Sequence, residues 1–206
     1  MQVLCVHGYG VNSNVTKAQT APLRQELRLI FGDQGLLDFT YLQGELEAIP
    51  PYPELFSPPF YKFWDGDSPS SVLAATDLIA SSISTNDPDV IFAHSDGAAA
   101  ALTTILYHPH NVKCLVLLCP IPPFDAEGRR RLDVSLSGSP LIHTPTIFVR
   151  GESDPMAPFV AMTEGLVDKR NMTLYSYKGG HEVPNSSERT LWTRIAQKVV
   201  EILKET

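Results

Sequence analysis

Cysteine is scarce in this chain: Cys5, Cys114 and Cys119 are the only three among 206 residues. The count is odd and two of them sit inside apolar runs, which excludes a disulfide framework and reads as buried free thiols. Long apolar runs are missing as well. No stretch of about 18 apolar residues occurs, so no membrane span is expected. The first residues, Met1-Gln2-Val3-Leu4-Cys5-Val6, carry neither a basic leader nor a cleavage pattern. They read as a strand, and the expected location is cytoplasmic. Without a leader, the Asn-x-Ser/Thr triplets at Asn14, Asn171 and Asn185 read as chance. Positive charge is in deficit. The formal net charge of −7 disfavours nucleic acid as a partner. Phosphate loops and dinucleotide fingerprints are lacking. His108-Pro109-His110 has no acidic or thiol partners at ligand spacing. No cofactor and no metal is therefore expected. Repeats and linkers are also missing, so residues 1–206 read as one domain. A hydrophobic content of 43% is enough to fill its core.

What is present is a β-α alternation. Strands are expected at Val3–Val6, Asp38–Leu42, Val90–Phe92, Lys113–Leu118, Thr146–Val149 and Thr173–Ser176. Several are apolar throughout, as in parallel strands buried on both faces. Helices are expected at Lys17–Phe31, Ser70–Ile83, Ala98–Tyr107, Ala157–Val167 and Arg189–Lys204. In the first, Leu23, Leu27 and Ile30 repeat at helical spacing. The pattern implies an α/β fold with a doubly wound, mostly parallel sheet of about six strands. Two stretches break the rhythm. Residues 43–69 mix Pro50, Pro51, Pro53, Pro58, Pro59 and Pro69 with Tyr52, Phe56, Phe60, Tyr61, Phe63 and Trp64. Residues 119–145 hold Pro120, Pro122, Pro123 and Arg129-Arg130-Arg131. Both leave the carboxyl edge of the sheet, where open α/β folds bind ligands, and both are long enough to be lid or pocket loops.

Ala93-His94-Ser95-Asp96-Gly97 falls between the strand Val90–Phe92 and the helix that contains Ala98. A serine at such a strand-turn-helix tip is lifted clear of its backbone and faces helix N–H groups that can hold an oxyanion. The pattern is a G-x-S-x-G nucleophile elbow with Ala93 in place of the first glycine. A serine hydroxyl needs a base, and the base needs an orienting carboxylate. Asp154, in Gly151-Glu152-Ser153-Asp154-Pro155, and His181, in Gly179-Gly180-His181, follow later strands in the order Ser, Asp, His. Catalysis is thus assigned to Ser95, Asp154 and His181, with Glu152 the nearest rival for the acid. The backbone N–H groups of Tyr9 and Asp96 are the candidate oxyanion hole. Tyr61, Trp64 and His94 are candidates for substrate contact. Ser95 alone would read as a helix cap, Asp154 as a cap for the helix at Ala157, and His181 as a loop histidine. His108, His110 and His143 read as structural.

Leu4-Cys5-Val6-His7-Gly8-Tyr9-Gly10, His94-Ser95-Asp96-Gly97-Ala98-Ala99-Ala100 and Gly179-Gly180-His181-Glu182-Val183-Pro184 together resemble the serine hydrolase family of yeasts and filamentous fungi. This is the fungal FSH type, a branch of the α/β-hydrolase superfamily. Phe63-Trp64 is similar to that family's aromatic loop. The resemblance spans nearly the whole chain and implies a minimal α/β-hydrolase fold, with Ser95 as nucleophile, Asp154 as orienter and His181 as base. Members usually carry Gly-Phe-Ser-Gln-Gly at the elbow, so His94 and Asp96 are departures. The resemblance implies ester or thioester hydrolysis, including thioesterase release of polyketides in secondary metabolism. The expected partners are a small-molecule acyl ester or thioester and an acyl carrier domain of a polyketide synthase. Arg129-Arg130-Arg131 would meet a phosphopantetheine phosphate or form a solvated face. Two alternatives stand beside this reading. One is an acyltransferase or carbon–carbon condensing enzyme that passes the acyl group to an acceptor other than water. The other is a non-catalytic binding protein on a hydrolase scaffold. Oligomeric state is not legible from these residues.

Overall fold

The apolar runs assemble into one sheet. In the computed structural model, which describes residues 1–32, 36–50, 54–66 and 68–205, β1 (Gln2–Val6) and β2 (Asp38–Leu42) precede a small hairpin of β3 (Leu46–Glu47) and β4 (Tyr61–Lys62). Then come β5 (Val90–His94), β6 (Cys114–Leu118), β7 (Thr146–Gly151) and β8 (Met172–Tyr177). Apart from the hairpin, the strands form a six-stranded parallel sheet in the order β2-β1-β5-β6-β7-β8. The register sets Val6 beside Ala93, and His94 beside Leu118, so the carboxyl ends share one edge.

Strand alternation sorts the core into two layers. Leu4, Val6, Ile91, Leu115, Leu117 and Phe148 face one side. There they meet α3 (Pro69–Asn86), α4 (Ser95–Tyr107) and α6 (Ala157–Leu166). Val3, Cys5, Phe92, Cys114, Val116 and Ile147 face the other. That face is covered by α2 (Ala21–Phe31) and α7 (Arg189–Glu205), with Phe92 stacked on Trp192 at 6.5 Å. All three cysteines are buried and free. Among the described residues no helix is long and apolar enough to cross a membrane.

Three details differ from expectation. The helix expected over Lys17–Phe31 is two helices, α1 (Ser13–Gln19) and α2, with Thr20 between them. Pro22 explains the break, since proline lacks the N–H that a continuous helix needs and its ring clashes with the preceding turn. Asn12 starts α1 earlier than expected by accepting the Val15 N–H at 2.9 Å. Second, the loop at 43–69 contains the β3–β4 hairpin, and Phe60, Phe63 and Trp64 are buried. Pro51, Tyr52 and Pro53 of that loop lie outside the described residues. Third, the loop at 119–145 is structured by α5 (Val134–Ser137) and a bridge between Phe124 and Arg131.

The strand order reverses at β1, which has β2 on one side and β5 on the other. The crevice beyond the carboxyl ends of β1 and β5 is where this topology receives ligands. His7-Gly8-Tyr9 leaves β1 there, and Ser95 leaves β5.

Candidate active site

Ser95 sits where β5 ends and α4 begins, with φ of 53°. A non-glycine residue in the left-handed region is strained, and here the strain makes the sharp turn that raises the side chain above the sheet edge. The turn needs a small residue after the serine. A Cβ on Gly97 would fall on the carbonyl oxygen of His7, well inside contact distance. Ala93 is fully buried beside Val6 and Leu117, so a methyl group fits where the common pattern has glycine.

The structure brings Ser95, His181 and Asp154 into one chain of hydrogen bonds. Ser95 Oγ lies 2.7 Å from His181 Nε2. His181 Nδ1 lies 3.0 and 2.9 Å from the two carboxylate oxygens of Asp154. Asp154 is buried, and its Oδ1 also accepts the Met156 N–H at 2.7 Å. An ionised carboxylate only accepts, so Nδ1 carries the ring proton and the Nε2 lone pair faces the serine hydroxyl. Glu152 is exposed and meets Ser176 Oγ at 3.4 Å instead of His181.

The two departures from the common elbow each have a partner. His94 Nε2 donates to the His181 carbonyl at 3.2 Å. Burial lowers its pKa to about 3, so its ring is neutral and props the loop carrying His181. Asp96 lies in the first turn of α4, where its backbone N–H has no helical partner. Its carboxyl is pushed up by burial and pulled back by Arg131, whose guanidinium is 3.9 Å away. Arg131 lies over Phe124 at 3.9 Å and Trp64 at 5.1 Å, and donates to the Pro122 carbonyl at 2.6 Å. The arginine run is therefore divided. Arg131 turns inward, whereas Arg129 and Arg130 are exposed.

A cavity of about 1210 Å³ opens over Ser95 and His181. Tyr9, Val11, Phe56, Met156, Val183 and Trp192 supply much of its wall. Tyr9 and His94 border it, as does Leu55 beside Phe56. Tyr61 and Trp64 do not, which corrects their expected place. Trp64 is buried edge-on against Phe124 within the α3–α4 core layer. Tyr61 uses its backbone, taking the Gly10 N–H at 3.0 Å and giving its own N–H to Val11 at 2.8 Å. It thereby ties the loop after β1 to β4. The 43–69 loop thus both covers the sheet and walls the cavity, through different residues.

Several side chains outside the triad and the elbow support the site. The Tyr177 hydroxyl reaches the carbonyls of Gly180, at 2.9 Å, and of Glu182, the residues on either side of His181. Cys119 Sγ packs 3.6 Å from that hydroxyl, and burial pushes its thiol up to about 12. It is therefore an unreactive neighbour of Asp154 and His181. Cys119, Asp154 and His181 offer donor atoms within 4.8 Å of one another, but a protonated buried thiol is a poor metal ligand. His7 is buried, with Nδ1 donating to the Gly8 carbonyl at 2.7 Å and Nε2 accepting the Gly44 N–H at 2.9 Å. It joins the loop after β1 to the loop after β2. His7 belongs to the His7-Gly8 segment that the sequence already marks after the first strand. For Tyr177 and Cys119 the only signal is a polar atom at the end of a strand, which must find a partner when buried.

The chain as a whole is similar to known serine hydrolases and esterases. A family model described as serine hydrolase (FSH1) matches residues 1–191. "Esterase FPY3" of Fusarium mangiferae is 29% identical, with 97% of each chain covered. "Esterase FUS5" of Gibberella fujikuroi is 24% identical over 100% of this chain and 86% of its own. Among solved structures, Arabidopsis thaliana SOBER1 superposes with a TM-score of 0.63 at 15% identity, covering 98% of this chain and 99% of that one. A carboxylesterase from Mesorhizobium loti gives 0.62 at 17% identity, covering 95% and 88%. These two likenesses establish the α/β-hydrolase fold.

Proposed function

The chain belongs to the serine hydrolase (FSH1) family, and on that premise we propose that Ser95 is the nucleophile of an acyl-enzyme cycle acting on esters or thioesters with an apolar acyl chain. His181 Nε2 takes the hydroxyl proton as Oγ adds to the carbonyl carbon. The oxyanion is held by the N–H groups of Tyr9 and Asp96. The tetrahedral adduct collapses as His181 returns the proton to the departing alcohol or thiol, leaving acyl-Ser95. Water then gives a proton to His181 Nε2 and attacks the acyl carbon, and the acid leaves as Ser95 recovers its hydrogen. Asp154 keeps the ring in the required tautomer and stabilises the imidazolium.

The observation that carries this reading is the unbroken Ser95–His181–Asp154 hydrogen-bond chain opening onto a cavity of about 1210 Å³. Apolar walls suit an acyl chain. A polyketide chain borne by an acyl carrier domain is the proposed natural donor, in keeping with the fungal esterases among the relatives. The exposed Arg129 and Arg130 are the proposed contacts for the carrier's phosphopantetheine phosphate.

Intact-protein mass after fluorophosphonate treatment tests the reading. One adduct on the wild type and none on Ser95→Ala is expected. Turnover of a p-nitrophenyl ester should fall on the order of 10⁴-fold or more in that variant. An unlabelled wild type, or unchanged turnover in Ser95→Ala, would remove Ser95 from the chemistry.

A further inference from the structure

The cavity over Ser95 is not apolar throughout. Where it meets α2 and α7 its wall includes the polar Gln25, Glu26 and Arg189, with Asn185 and Ser186 just ahead of α7, beside the apolar Ala21, Pro22 and Trp192. Glu26 is only 7% exposed, an unusual place for a carboxylate. Its Oε2 accepts from Thr193 Oγ1 at 2.9 Å, and that hydroxyl also lies 3.0 Å from the Arg189 carbonyl. One hydroxyl hydrogen is thus shared between two acceptors. Oε1 meets Arg189 Nε at 3.5 Å, and the Arg189 side chain is 73% exposed. A carboxylate offers about four lone-pair sites, so Glu26 brings spare acceptor capacity to a cavity wall, beside the donors of Arg189.

Resting on the acyl-serine reading, we propose that Glu26 and Arg189 form a subsite for a neutral hydroxyl group on the acyl chain, remote from the scissile carbonyl. The hydroxyl would donate to Glu26 and accept from Arg189. The pairing of charges selects for neutrality: a second cation meets Arg189 and a carboxylate meets Glu26. A methyl terminus at the same place would strip water from the carboxylate and return no hydrogen bond. The substrate class is therefore a hydroxylated acyl ester or thioester, and Glu26 sets its selectivity.

The test is a set of p-nitrophenyl esters in matched pairs of increasing chain length, one member ending in methyl and the other in a hydroxyl. The readout is the ratio of kcat/KM within each pair, for the wild type, Glu26→Gln and Thr193→Val. At the length that reaches the subsite, the wild type should favour the hydroxylated ester by about tenfold or more, as sites built to hydrogen-bond a hydroxyl do. Glu26→Gln should bring that ratio to within about threefold of unity, as expected when a bond to a charged acceptor is weakened. Thr193→Val removes the helix-to-helix bond without touching the cavity wall. It should lower Tm and keep the ratio. A wild type with no preference, or a ratio that survives Glu26→Gln, overturns the subsite while leaving ester hydrolysis standing. So does a Glu26→Gln variant that loses activity equally on both members of every pair along with Tm, since Glu26 is then only a brace between helices. A wild type that cleaves no ester and takes no fluorophosphonate overturns the acyl-serine reading, and the subsite with it.

Discussion

Acid should loosen this protein through His7. The ring is 1% exposed and both nitrogens are committed in the neutral form, Nδ1–H to the Gly8 carbonyl and Nε2 to the Gly44 N–H. A second proton on Nε2 would point at another donor. Burial lowers the pKa from 6.5 to about 4, with the Gly8 bond pulling part of the way back. The sign follows from proton counting. The unfolded chain takes up its proton near 6.5 and the folded chain only near 4, so between these values the unfolded state holds more protons. Stability from His7 is then fully present above the unfolded value and is lost as pH falls toward the folded one. Going from about pH 7.5 to about pH 4.5 crosses roughly two units of that window, worth about 3 kcal/mol. In a chain of this size that is roughly 6–12 °C in Tm. The assay is denaturant unfolding at both pH values for wild type and His7→Gln. Other groups titrate in both proteins, among them the buried His94, and cancel in the difference. The wild type should lose about 3 kcal/mol more than the variant on acidification. Equal losses would refute the reasoning, because His7 would then accept its proton without penalty in the folded state.

Three further outcomes follow from the geometry. Asp154→Asn should leave Tm within a few degrees and lower kcat by about 10⁴-fold, because an amide can donate to Nδ1 and turn the wrong ring nitrogen toward Ser95; steady-state kinetics with a p-nitrophenyl ester checks it. Tyr177→Phe removes the hydroxyl that reaches the carbonyls flanking His181. It should cut kcat about tenfold with little change in KM, and a rise in KM alone would place Tyr177 outside the positioning of His181. Gly97→Ala sets a methyl group on the His7 carbonyl. It should cost about 1–3 kcal/mol in unfolding free energy and lower fluorophosphonate labelling together with it.

The sheet was legible because its signal is local. Fully apolar runs such as Cys114–Leu118 mark central parallel strands, and strand-loop boundaries place Ser95, Asp154 and His181 at one edge. The break at Pro22 was legible in principle too, but the helical spacing of Leu23, Leu27 and Ile30 outweighed it. Cavity walls were harder to read. Trp64 and Phe56 lie on the same Pro-rich loop and are both aromatic, yet Trp64 is buried against Phe124 while Phe56 borders the cavity. Which aromatic turns inward depends on the hairpin register and on the distant loop that supplies Phe124 and Arg131. Composition carries neither. Tyr177 and Glu26 escaped notice for the same reason. Each matters through a partner far away in sequence, Tyr177 through the His181 loop and Glu26 through α7.

The elbow residues His94 and Asp96 show how departures from a family pattern can keep its geometry. An imidazole and a carboxylate beside a nucleophile would be expected to disturb it electrostatically. Each is instead neutralised or engaged. Burial keeps the His94 ring uncharged, and its N–H supports the carbonyl of His181. Arg131 lies 3.9 Å from the Asp96 carboxyl and packs over the Phe124 and Trp64 rings. Burial, which raises the Asp96 pKa, is thus partly offset by a residue from the 119–145 loop, packed on a residue from the 43–69 loop. The 119–145 loop reaches the residue whose N–H is the candidate oxyanion donor, and the 43–69 loop packs on the arginine that does so. Decay of a catalytic site removes partners without replacing them. Here each unusual side chain has one, in keeping with the chain's membership of a family of working hydrolases rather than with a scaffold that only binds.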